Sequence, residues 1–194
     1  PRDPTTSSGI EFANDNADPQ VTDLDQFVFS NKLLDGHLGA LAAARSFGAT
    51  VFRGSPLTLE QAWMTNATDP EEYAEWAMAQ ILRWNASGFP LHYWSIANEP
   101  GNTGFLPEPL TGAFLRDCVK ALGPRIAAAG LTTGIVIPSE IYPDLAYTKL
   151  QTILADATAR SYVAAVDYHL YGSTTDRANI KTLADSYSIP IWMG

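Results

Sequence analysis

The chain has 194 residues, of which 21 are acidic and 12 basic, so its net charge is −9, and 46% of its residues are hydrophobic. Its 5 Trp, 8 Tyr and 8 Phe are atypical of a disordered chain, and its acidic balance argues against nucleic acid and anionic membranes as main partners. The single cysteine, Cys118, excludes an internal disulfide and a cysteine-built metal site, and no apolar run approaches the roughly 20 residues of a transmembrane segment.

Helices and short strands alternate along the chain. The predicted helices carry apolar stripes at 34–45, 70–84, 111–129, 150–157 and 180–187. Gly48, Gly88 and Gly130 end the first three helices at intervals of about 40 residues, since glycine accepts the left-handed conformation of a helix C-cap. Each helix leads into a short apolar run, and these runs predict strands at 49–53, 91–97, 133–138, 163–168 and 189–193.

This alternation predicts an α/β fold with a parallel sheet in a single domain over residues 1–194. A complete eight-unit barrel needs roughly 250 residues and does not fit. Two architectures therefore stay open from composition and periodicity: an open doubly wound sheet, or part of a (β/α)8 barrel truncated at both ends.

The motif with the most chemical content is the segment 96–100, which follows a predicted buried strand. It places Glu99 at the carboxyl end of that strand, where parallel βα folds have their active sites. The alternative is a strand-end acid that only caps the next turn. Dinucleotide, P-loop and nucleophile-elbow motifs are absent from the sequence, and the spacing of its histidines is not that of a metal site.

Four segments carry a resemblance to a known family. They are Ser55-Pro56 with Trp63-Met64, Asn98-Glu99-Pro100, His169-Leu170-Tyr171, and Ile191-Trp192-Met193-Gly194. With them, the sequence from about Asn14 to Gly194 resembles the retaining (β/α)8 glycoside hydrolases of clan A, and most of all glycoside hydrolase family 30. The resemblance covers strands three to seven of such a barrel, which favours the truncated barrel over the open sheet.

The resemblance implies a retaining β-glycoside hydrolase in which Glu99 is the general acid/base and Asn98 holds the sugar 2-hydroxyl. Tyr171 would lie beside the nucleophile, a glutamate expected one residue beyond Gly194, so the chain as given is expected to be inactive. The implied substrate is a β-linked glycan or glycoside, with no metal or organic cofactor and an extracellular location. Retaining enzymes of this kind hold two carboxyl groups about 5–5.5 Å apart.

Other polar and aromatic residues near the predicted strand ends are candidate substrate contacts. Trp63, Tyr171 and His169 are predicted to bind sugar, with Phe105 and Tyr142 as further loop aromatics that either stack on sugar or pack beneath their loops. Glu140, which follows the third predicted strand, is expected to be a sugar contact or a turn residue, and Asp167 to join a buried hydrogen-bond network.

Two other functions stay open from the sequence. One is a non-catalytic carbohydrate-binding remnant of a barrel. The other is an open-sheet enzyme of unrelated chemistry, which requires Glu99 to lie away from His169 and Tyr171.

Overall fold

The computed structural model describes residues 16–22, 31–56, 69–102, 110–172 and 174–193. Trp63, Phe105 and Gly194, which the sequence places in or next to the site, lie outside these ranges. The elements, in chain order, are α1 Asn31–Ser46, β1 Arg53–Gly54, α2 Pro70–Ala86, β2 Tyr93–Ser95, α3 Gly112–Ala128, β3 Gly134–Glu140, α4 Pro143–Ala155, α5 Ala157–Arg160, β4 Val163–Tyr168, α6 Arg177–Ser186 and β5 Ile191–Met193.

The five strands in the described part of the chain form one sheet in the order β1-β2-β3-β4-β5, and every neighbouring pair is parallel. A doubly wound sheet reverses its strand order at a switch point, whereas a barrel adds each strand beside the previous one. The sequential order therefore follows the barrel pattern. It also confirms the predicted parallel neighbours.

The sheet is strongly curved. Side chains on strands that do not pair with each other are in contact across its concave face, which shows the curvature. The ring centroids of Tyr93 on β2 and Trp192 on β5 lie 4.3 Å apart, although two strands separate them. Arg53 on β1 likewise forms an ion pair with Asp167 on β4. These contacts lie on the inner face of the curved sheet, as in a barrel. The predicted partial (β/α)8 fold is confirmed.

Helix α2 covers the convex face of the sheet behind β2. The Asp69 side chain caps the helix by accepting a hydrogen bond from the Glu72 amide at 3.2 Å. The Tyr73 hydroxyl accepts from the Trp94 indole at 2.9 Å and donates to the Ile96 carbonyl at 2.7 Å. Burial raises the pKa of Tyr73 well above its ordinary value, so the hydroxyl stays protonated and keeps the strand fastened to the helix.

The fourth predicted helix is two helices in the structure. Helix α4 begins at Pro143, earlier than the stripe predicts, and ends at Ala155. Asp156 then adopts an extended backbone and its carboxylate accepts hydrogen bonds from the amides of Thr158 and Ala159, which starts α5. The Ala159 amide and the Lys120 ammonium hold the pKa of Asp156 below its ordinary value. The side-chain cap competes with the helical backbone at this position and breaks the helix.

None of the helices in the described ranges combines the length and the hydropathy of a membrane-spanning segment.

Two helical glycines allow a matched test of the packing between α3 and Tyr162, the residue before β4. A Cβ on Gly123 would lie within 3 Å of the Tyr162 ring, whereas a Cβ on Gly39 in α1 would meet nothing within 4 Å. We expect Gly123→Ala to lower the free energy of unfolding by about 1–3 kcal/mol through overpacking. We expect Gly39→Ala to raise it by about 0.5–1 kcal/mol, since alanine has the better helix propensity. Urea unfolding of both variants measures this, and a stabilising Gly123→Ala would contradict the observed packing.

Candidate active site

Glu99 lies at the carboxyl end of the sheet, four residues beyond the end of β2. Its side chain is only 9% exposed, and its backbone has a φ of 50°, in the left-handed region that side-chain-bearing residues rarely adopt. Its amide donates to the carbonyl of Ser139 at 2.8 Å, and Ser139 also has a positive φ, of 56°. Strained backbone of this kind costs about 1–3 kcal/mol per residue and is concentrated at functional sites.

Both oxygens of the Glu99 carboxylate have hydrogen-bond partners. Oε1 lies 2.8 Å from His169 Nδ1, and Oε2 accepts from the Asn102 amide at 2.7 Å. Asn102 was not a predicted site residue. Its position three residues after Glu99 is the signal that could have identified it. The two residues form a tight turn, in which the backbone amide of Asn102 donates to the Glu99 carbonyl at 2.8 Å. The side-chain contacts orient the carboxylate across the strand end, and within the described ranges it accepts no hydrogen bond from a backbone amide.

The segments that follow the carboxyl ends of the strands form a rim around Glu99, and this rim carries exposed aromatic rings. Tyr171 is 58% exposed, and its ring packs edge-on against His169 with centroids 5.8 Å apart. Tyr142 is 40% exposed and borders Gly172, where a Cβ would lie 3.1 Å from the Tyr142 ring. The structure thus gathers Glu99, His169, Tyr171 and Tyr142 at one end of the sheet.

Asn98 precedes Glu99 and is half-buried. Its backbone amide donates to the carbonyl of Pro56 at 2.8 Å, which ties the segment to the loop that follows β1. Its side chain makes no hydrogen bond to the described part of the chain and has amide groups to offer to another molecule.

Glu140 does not fit the predicted role of a sugar contact. It is the last residue of β3, and its side chain has no solvent exposure. Its carboxylate forms an ion pair with Lys149 of α4 at 2.6 Å and accepts hydrogen bonds from two backbone amides. A carboxylate enclosed in this way has no surface left for a substrate.

A polar layer inside the barrel wall lies on the strands that carry the site. Arg53 donates to the hydroxyls of Ser95 and Ser139 at 2.6 and 2.7 Å and forms the ion pair with Asp167, whose side chain is fully buried. The buried network predicted for Asp167 is confirmed. Arg53 was not a predicted site residue, because its partners come from three other strands and no local pattern brings them together.

The sequence matches no protein-family model and no curated protein. Among solved structures, the chain is similar to an endo-β-1,6-glucanase, with a TM-score of 0.74 and 23% identity over 89% of this chain and 43% of that one. It is also similar to the family 30 subfamily 8 xylanase from Clostridium acetobutylicum, at 0.67 and 21% over 84% and 43% of the two chains. A third neighbour is SrfJ from Salmonella typhimurium, at 0.70 and 19% over 95% and 45%.

The chain shares its fold with family 30 glycoside hydrolases. It spans less than half the length of these three solved structures. The likeness covers the parallel strands and the helices around them, so it supports the barrel over the open sheet.

Other reactive groups in the described ranges do not form a second centre. No group of three or more His, Cys, Asp or Glu side chains in those ranges has the arrangement of a metal site. Cys118 is fully buried on α3, and burial raises the pKa of its thiol well above the ordinary value. The thiolate is the nucleophilic form of cysteine, so this residue serves as a packing residue of the core.

The open-sheet enzyme of unrelated chemistry required Glu99 to lie away from His169 and Tyr171. Glu99 instead bonds to the His169 ring, and Tyr171 packs against that same ring. The site geometry and the strand order therefore both contradict that alternative.

Proposed function

We propose that this chain is the acid/base-bearing part of a retaining β-glycoside hydrolase. The observation that carries the proposal is the carboxylate of Glu99, buried at a strand end and held by His169 and Asn102. A general acid must be positioned within hydrogen-bond reach of the leaving oxygen, and a carboxylate that is held in one orientation at a strand end is suited to that task. The neighbours described as a glucanase and a xylanase support the same class of reaction.

In this mechanism Glu99 protonates the leaving glycosidic oxygen and then removes a proton from the attacking water. His169 orients the carboxylate of Glu99, because its Nδ1–H donates to Oε1 when Glu99 is ionised. The amide of Asn102 remains a donor throughout. Asn98, whose side chain is unengaged in the described part of the chain, orients the sugar 2-hydroxyl.

The second carboxylate of the reaction is the nucleophile. We place it just beyond Gly194, after β5, on the strength of the resemblance of Ile191-Trp192-Met193-Gly194 to the family pattern. Because β5 pairs with β4, which ends beside His169, a residue after β5 lies on the same rim as Glu99. The substrate is a β-linked glycan, whose C–H faces stack on Tyr171 and Tyr142, and the location is extracellular.

The test compares the 194-residue chain with a longer version of the protein that completes the barrel. We expect the longer version to hydrolyse a β-linked aryl glycoside, with the β-anomer as the first product in a proton NMR time course. We expect no hydrolysis by the 194-residue chain, because residues that act as a unit lose most of the rate when one is missing.

Three outcomes would count against the proposal. An α-anomer as first product would exclude the retaining mechanism. Hydrolysis by the 194-residue chain at a comparable rate would exclude a nucleophile beyond Gly194. Binding of glycans by the longer version without any hydrolysis would favour the carbohydrate-binding remnant.

A further inference from the structure

The pair Glu140 and Lys149 is buried beneath the rim, and substrate does not reach it. The two side chains are 0% and 9% exposed, and Lys149 Nζ lies 2.6 Å from Glu140 Oε2. A buried ion pair is a weak source of stability, because desolvation of both charges offsets their attraction. Its presence next to the site therefore calls for a reason other than stability.

The second oxygen of Glu140 holds the turn that follows Glu99. Oε1 accepts hydrogen bonds from the amides of Gly101 at 3.1 Å and Ile141 at 2.8 Å. The approach to Gly101 is close, since a Cβ on this glycine would lie 2.9 Å from Oε1 and 3.0 Å from Oε2. Gly101 lies between Glu99 and Asn102, so its anchoring sets where the Asn102 amide meets the Glu99 carboxylate.

The backbone of Glu140 holds the other partner of Glu99. Its carbonyl accepts a hydrogen bond from the His169 amide at 2.8 Å, at the end of β4. Glu140 is thus bonded to both segments that deliver hydrogen bonds to the Glu99 carboxylate: the turn with Asn102 through its side chain, and His169 through its main chain.

We propose that Glu140 and Lys149 are a positioning pair that sets the orientation of the Glu99 carboxylate. Lys149, reaching from α4, supplies the opposite charge that a buried carboxylate requires and fixes the rotamer of Glu140. Glu140 in turn fixes the Gly101 amide, and with it the turn that carries Asn102. This inference rests on the proposed function of Glu99. Neither residue touches substrate, so both act on proton transfer through the geometry of Glu99.

The test is made in the longer, active version of the protein with aryl β-glycosides whose leaving groups span a wide range of pKa. Glu140→Leu/Lys149→Met removes the acceptors at similar volume without leaving a buried charge unpaired. We expect kcat for poor leaving groups to fall by about 10²-fold, the scale of a 1 Å misplacement, with little loss for activated ones. Rates would then depend more steeply on leaving-group pKa. A loss of packing alone would lower all substrates alike.

Matched variants separate positioning from folding. Glu140→Gln/Lys149→Met keeps an acceptor for the Gly101 amide but lacks the Lys149 contact that fixes its rotamer, so it is expected to recover part of the rate on poor leaving groups. Glu71→Gln/Arg125→Met removes an ion pair of 2.7 Å between α2 and α3 in the helix layer and is expected to leave the leaving-group dependence unchanged.

A second route applies if the double variant does not fold. Gly101→Ala pushes a Cβ against the Glu140 carboxylate, and we expect the same selective loss on poor leaving groups. The shorter side chain in Gly101→Ala/Glu140→Asp makes room for that Cβ and is expected to restore part of the rate.

Glu99→Gln in the same series distinguishes the two ways of failing. If Glu99→Gln does not steepen the leaving-group dependence, the proposed function fails. If Glu99→Gln does so but the folded Glu140 and Gly101 variants keep the wild-type dependence, only the positioning role is overturned.

Discussion

Replacement of Glu99 by glutamine is expected to lower kcat/KM for unactivated β-glycans by about 10²- to 10⁴-fold, the usual contribution of general acid–base catalysis. The amide is close in shape to the carboxyl group and can still accept from Asn102, so the fold and the substrate contacts are expected to persist. What it lacks is an exchangeable acidic proton for the leaving oxygen. The measurement is steady-state hydrolysis of a natural β-glycan by the longer version of the protein.

Activated aryl glycosides provide the internal comparison for this variant. They leave without protonation, so we expect the glycosyl-enzyme to form at close to the normal rate and then to turn over slowly for want of a base. A pre-steady-state burst of phenolate followed by a slow phase would report this. Asp185→Asn, on the exposed face of α6, is the control and is expected to leave both phases unchanged. Unchanged hydrolysis of natural glycans by Glu99→Gln would show that Glu99 is not the acid/base.

Replacement of Arg53 by methionine is expected to cause the largest loss of stability among single substitutions in the barrel interior. Arg53→Met leaves the fully buried carboxylate of Asp167 without its counter-charge, and breaking a buried pair in this way costs about 3–5 kcal/mol. The hydroxyls of Ser95 and Ser139 remain bonded to each other at 3.0 Å, so they do not add to the loss. Urea unfolding of the chain measures the free energy.

Two further variants decide whether the effect comes from the uncompensated charge. Arg53→Met/Asp167→Leu removes both charges and is expected to recover much of the loss, since apolar replacement of a buried pair is often near neutral. Lys181→Met breaks the exposed pair with Asp185 on α6 and is expected to cost less than about 0.5 kcal/mol. A loss below about 1 kcal/mol for Arg53→Met would mean that Asp167 is compensated by groups other than Arg53.

Features that depend on neighbours along the chain were predictable from the sequence. The helices, the strands and their parallel order follow from apolar periodicity, capping residues and glycines at helix ends, which are local signals. Glu99 was found because it directly follows an apolar strand, and His169 with Tyr171 for the same reason. Strand boundaries were less accurate: pairing begins at Arg53 and not at residue 49, since a strand extends only where a neighbour offers hydrogen bonds.

Features that depend on the approach of distant strands were decided only by the tertiary structure. Strand periodicity alone does not distinguish a flat sheet from a curved one, and the contact of Tyr93 with Trp192 across two strands shows the curvature. The same holds for the carboxylate of Glu140, for which the strand-end position predicts a sugar contact or a turn residue. Lys149 reaches it from the second turn of α4, and the burial of the carboxylate follows from that packing. The sequence specifies the charge and type of each side chain. Whether a charged group faces water or a counter-charge depends on which elements the fold brings together.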